Sequence, residues 1–75
     1  MMTESYYRTE TDYRARANRA EVSMRDSSEW GMIDQAARYR LTAISLYLTA
    51  VRTDDNARGR ALAQEGLARV GAFRL

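Results

Sequence analysis

The chain contains no proline, and its twelve alanines equal in number all of its valines, isoleucines, leucines and phenylalanines together. No other feature narrows the choice of fold as much. Alanine has the highest helix propensity and proline is the strongest helix breaker, so nothing in the covalent chain opposes helix from end to end. The same scarcity of large aliphatic residues leaves little bulk for a core: twelve in 75 is below the roughly one-fifth at which a soluble globular core becomes doubtful. Disorder would also need a high net charge, and the formal charge is only +2. Close-packed, Ala-rich helices reconcile these facts. In so short a chain a thin core also implies help from a partner or from a second copy.

Periodicity divides the chain into three helices, expected at about 4–25, 29–52 and 55–70 of a single domain spanning 1–75. In the first, Tyr6, Tyr13, Ala17, Ala20 and Met24 keep heptad spacing, interrupted once by Glu10. Extending that stripe past Met24 lands on Ser28, Gly31, Gln35 and Arg38, so the apolar face changes there and a turn is expected. Asp26, Ser27 and Ser28 offer N-caps for the second helix, and Asp26 with Glu29 has capping-box spacing. The second helix carries two apolar stripes side by side. One is Trp30, Ile33, Ala37, Leu41, Ile44, Leu48 and Val51; the other is Met32, Ala36, Tyr39, Ala43, Leu46 and Ala50. So wide an apolar surface marks the central helix, packed on two sides. From the first stripe, Trp30, Ile33, Leu41, Ile44, Leu48 and Val51 are expected to form the core.

The run Thr53-Asp54-Asp55-Asn56 clusters capping residues ahead of the third helix, and Gly71 is placed to end it, with Phe73 folding back. Gly59 and Gly66 fall inside that helix, each costing about 1 kcal/mol relative to Ala. With Ala63 and Val70 they form a seam of small side chains, which predicts that a backbone or a large ring such as Tyr47 or Trp30 comes close.

All twelve basic residues are arginine. Seven of the ten acids have an Arg four residues later: Glu4–Arg8, Glu10–Arg14, Asp12–Arg16, Glu21–Arg25, Asp34–Arg38, Asp54–Arg58 and Glu65–Arg69. This is the favourable orientation for helical ion pairs, which argues for helix and engages most of the arginines. Arg52 and Arg74 suit helix C-termini. Arg19, Arg40 and Arg60 remain as candidates for contacts to phosphates or to an acidic partner. No basic block or tail accompanies them.

The absent residue types exclude much chemistry. With no His or Cys there are no usual transition-metal ligands, no disulfides and no triad base. The four glycines are scattered, so no phosphate-cradling loop is present. No enzyme, cofactor, metal or small-molecule substrate is expected. The start of the chain lacks the pattern of a secretory signal, and the longest uncharged run, Leu41 to Val51, is too short to span a bilayer. A cytoplasmic protein is expected, and the Arg-only, Ala-rich composition fits a GC-rich bacterium or its phage.

The segment Ala43-Ile-Ser-Leu-Tyr47-Leu-Thr-Ala50 resembles the second helix of a tetratricopeptide repeat, or of the similar three-helix microtubule-interacting-and-transport domain. The resemblance covers eight residues, Asp55 stands where the repeat's closing proline would fall, and no second repeat follows. It implies a peptide-binding or scaffold role.

The sequence thus predicts an all-α, up-down-up bundle of three helices with the second central, completed by oligomerisation. It predicts a non-catalytic protein-interaction module that self-associates or serves as a small subunit or adaptor of a larger assembly. Its partner would be itself or another helical protein. Interaction candidates are Tyr6, Tyr7, Tyr39, Tyr47, Gly59 and Gly66; Tyr6 and Tyr7 are adjacent and cannot both face one core. The alternative is a small Arg-rich nucleic-acid-binding regulator acting through Arg19, Arg40 and Arg60.

Overall fold

The computed structural model describes residues 12–75. Over these residues the chain forms three helices, α1 (Tyr13–Glu29), α2 (Ile33–Thr53) and α3 (Ala57–Ala72), with no strand among the described residues. Connections of three residues at 30–32 and 54–56 make successive helices antiparallel neighbours. The part of the first expected helix before residue 12 lies outside the described residues. Asp12 caps α1, its carboxylate accepting the Ala15 N–H.

The first turn lies a few residues beyond the expected one. Asp26, Ser27 and Ser28 are not N-caps; α1 continues through them, and Ser27 is buried within it. The helix instead ends at Gly31, the one described residue that the backbone takes to a positive φ (+78°). The Gly31 N–H donates to Ser28 O at 3.0 Å and the Met32 N–H to Ser27 O at 2.8 Å. This double closure is a Schellman motif, which needs a left-handed residue at its centre. Asn56 caps α3, accepting the Arg58 N–H, while the Asp54 carboxylate accepts the Asn56 N–H and tightens the second turn. Gly71 is not the terminator of α3: the helix passes through it to Ala72, and Phe73 leaves in extended backbone and packs on the core.

α2 is central, with α1 and α3 each packed along it and in little contact with each other. One face of α2 is nevertheless left uncovered, with Leu41 and Leu48 exposed on it.

That face is the stripe expected to be the core. Leu41 is 67 % exposed, Ile33 46 % and Leu48 43 %, Ile44 and Val51 are only half-buried at its flank, and Trp30, in the turn before α2, is 81 % exposed. The buried side of α2 is the neighbouring one: Ala36, Ala43, Tyr47 and Ala50. They meet Ala17, Ala20 and Met24 of α1 and the Gly59–Ala63–Gly66–Val70 seam of α3. The physical reason is fit. Small residues on all three helices let the backbones approach closely, and a single ring, Tyr47, fills the space between them. A face of leucines and isoleucines set against the glycine seam would hold the helices apart.

Replacing Gly31 with Ala forces a side chain into the left-handed region and is expected to cost about 1–2 kcal/mol. Replacing Gly71, which sits in open space within a helix, is expected to raise stability by about 0.5–1 kcal/mol. Thermal melts of the two variants should therefore move in opposite directions; movement in the same direction contradicts this assignment of the turn.

Candidate functional site

Two features stand out from the packing: a buried polar cluster between the helices, and the uncovered face of α2. The cluster centres on Glu21 of α1, which is 6 % exposed. A carboxylate removed from water must be met by donors, and this one is met from all three helices. Arg69 of α3 grips it as a fork, with Nε 2.9 Å from Oε2 and Nη2 3.1 Å from Oε1. Arg25, one turn along α1, reaches Oε2 at 3.1 Å. From α2 the Tyr47 hydroxyl donates to Oε1 at 2.6 Å; Asn18 Oδ1 lies 2.5 Å from the same hydroxyl, and the charged Glu21 is the stronger of the two acceptors.

The electrostatics derive from this geometry. The Arg69 hydrogen bonds hold Glu21 below the usual carboxylate range, against the opposing effect of its burial and with help from Tyr47 and Arg25. Burial, and then the bond to Glu21, push the Tyr47 phenol up to about 12. Arg69 is held more firmly protonated, first by its hydrogen bonds to Glu21. Near neutral pH, then, all three groups keep their ordinary charge states. Such an arrangement fixes helix positions; it does not poise a group for proton transfer.

The cluster depends on a close approach. Tyr47 is fully buried, and its ring lies over Gly66, with the hydroxyl oxygen 2.8 Å from where a Cβ on Gly66 would stand. Any larger residue at 66 would displace the ring and with it the hydroxyl. Gly59 is also buried, and the Asp54 carboxylate occupies the room its side chain would take, with Cγ 2.7 Å from the Cβ position. Tyr39 is half-buried against the core. Tyr6 and Tyr7 lie outside the described residues. Tyr47, Gly59 and Gly66 are therefore interior residues and present no surface to a partner, contrary to their expected role as contact residues.

The three arginines expected to contact phosphates or an acidic partner are not gathered into one site. Arg40 donates to the Phe73 carbonyl, tying the chain end to α2. Arg60 donates to the carbonyls of Asp54 and Asp55 at 2.9 and 3.1 Å, bracing the second turn. Arg19 is exposed on α1. Of the helical pairs expected among the described residues, only Glu21–Arg25 closes into a salt bridge. Arg69 leaves Glu65 for Glu21 because a buried carboxylate binds a guanidinium more strongly than a solvated one does. Asp12 and Asp54 are used as turn and cap acceptors instead.

The uncovered face has the opposite character. Along it, Asp34, Leu41 and Leu48 are spaced by heptads and Arg52 stands four residues further on, so all four lie on one line of the helix. A shallow groove bounded by Gly31, Met32, Ile33, Asp34, Arg38 and Tyr39 continues it at the N-terminal end of α2. Sequence reasoning missed this face because it assigned these large residues to the interior.

Among the described residues no cluster of acids has the arrangement to hold a metal, and no helix is long and apolar enough to cross a membrane. Comparison with protein-family models, curated proteins and solved structures found no match. The likeness of Ala43–Ala50 to a repeat helix thus has a local explanation: Ala43, Tyr47 and Ala50 are the positions of α2 that pack against its neighbours.

Each shifted group gives the pH dependence its own sign. Glu21, with its folded-state affinity for protons depressed, contributes stability that is complete above its unfolded value near 4.5 and is lost as the pH falls through its folded value. Tyr47, raised to about 12, contributes stability that is complete below 10 and is lost as the pH rises from there through 12. Melting temperatures measured from pH 9 to 11.5 should fall more steeply for the natural protein than for Tyr47→Phe. Parallel curves would show that the phenol is not buried against Glu21.

Proposed function

We propose that the protein is a cytoplasmic, non-catalytic helical interaction module that works by pairing with itself or as a small subunit of a larger assembly. One observation carries this reading: the outer face of α2 presents Ile33, Leu41 and Leu48 to solvent, with Trp30 and Met32 exposed in the turn that leads into it, while the core is made largely of alanines. A chain with so few large aliphatics leaves three of them uncovered on a single helix, and exposed large apolar residues grouped in this way mark a binding face. The interior cluster supports the same reading, since its polar groups are satisfied within the chain. Arg40 and Arg60 are spent on carbonyls of their own chain, which weakens the nucleic-acid alternative.

A photo-crosslinking residue at position 41, introduced in the cells that make the protein, is expected to give one discrete adduct that disappears when Leu48→Glu is added. The same residue at Gln64, exposed on α3, is expected to give none. No adduct from position 41, or equal adducts from both positions, would contradict an interaction face on α2.

A further inference from the structure

Resting on that reading, we infer that the occupant of the α2 face is the α2 face of a second copy, paired antiparallel about a twofold axis near Ser45.

The charge layout of the face selects both the partner and its direction. The line of α2 that points away from α1 and α3 begins with Asp34 in the first turn and ends with Arg52 in the last, with Leu41 and Leu48 between them and exposed Arg38 beside it, one turn after Asp34. Neither Asp34 nor Arg52 forms a salt bridge among the described residues. Laid antiparallel on itself, the face sets Leu41 of each copy beside Leu48 of the other. Each Asp34 then comes within about one turn, about 5 Å along the axis, of the other copy's Arg52, and stands between that arginine and Arg38 of its own helix. Laid parallel, it would set Asp34 on Asp34 and Arg52 on Arg52. Opposed helix dipoles favour the same choice.

The side chains between the charges suit close pairing. Ala37 and Ser45 each stand four residues from Leu41 on the same line, and they provide the small sites into which a partner's leucines insert. Half-buried Ile44 flanks them on one side. Burial of this strip between two copies supplies what a thin, Ala-rich core lacks, and a twofold axis uses each residue of the face twice.

The experiment is sedimentation of the full chain over a range of concentrations, with matched variants. The natural protein is expected at twice 8.6 kDa. Leu41→Glu with Leu48→Glu should be monomeric with an unchanged helical spectrum, since both side chains are exposed in the single chain. Asp34→Arg and Arg52→Asp should each weaken the dimer about tenfold or more, and their combination should restore it. The chain has no cysteine, so Ser45→Cys offers a second reading: it should form a disulfide-linked dimer on oxidation, whereas Asp34→Cys should not.

A monomer at every concentration overturns the self-pairing. If position 41 then crosslinks to a different protein, the interaction-face reading survives without it. If position 41 crosslinks to nothing, both fail. A dimer in which Ser45→Cys and Asp34→Cys both link, or in which the double charge reversal does not restore association, overturns the antiparallel arrangement. A dimer indifferent to the leucine substitutions overturns the face.

Discussion

One carboxylate joins the three helices. Glu21 is buried, and burial of a charge is tolerated only when donors replace the water it loses. Arg69 from α3, Tyr47 from α2 and Arg25 from its own helix supply them. Because α1 and α3 otherwise barely touch, the Glu21–Arg69 fork is the principal link between the outer helices, with a weaker one from Arg14 to the Gly59 carbonyl at 3.5 Å. Tyr47 can reach Glu21 only by lying across Gly66. That placement sets the rotation of α2, and the rotation in turn points Leu41 and Leu48 outward. The interior arrangement and the surface it leaves behind have one cause.

Such a centre contributes more to specificity than to stability. Taking the Glu21 carboxylate out of water costs much of what its attraction to Arg69, whose side chain stays 47 % exposed, returns, so the pair adds little net free energy while penalising any register that breaks it. The apolar contribution is modest as well, since most of the core positions are alanine. The thinness read from composition therefore reappears in the structure as an Ala-rich core and an uncovered helix face. A partner on that face would contribute apolar burial that the single chain lacks.

Much of this is legible in the sequence. The absence of proline and the heptad spacing point to three helices with α2 in the middle, and the Gly59–Ala63–Gly66–Val70 seam is buried along its length as its spacing predicts. Tyr47 is one of the two rings expected at that seam. The rotation of α2 is not legible, because its two apolar stripes differ in bulk and hydrophobicity alone favours the larger residues. Complementarity decides for the smaller ones, and it depends on what the other helices present. Asp26, Ser27 and Ser28 outweigh Gly31 in the sequence because capping residues are a strong local signal, yet a left-handed closure needs the glycine itself. Helical spacing pairs Arg69 with Glu65 because it reports only on neighbours within one helix; the partner Arg69 takes is 48 residues away.

That last choice permits the most direct test. Two double-mutant cycles, one on Glu21 and Arg69 and one on Glu65 and Arg69, compare the coupling free energies of the same arginine with a distant and a local acid. The structure predicts coupling of about 1 kcal/mol or more with Glu21 and close to none with Glu65. Coupling with Glu65 and none with Glu21 would mean that no buried carboxylate joins the helices, and the orientation of α2 derived from it would fall.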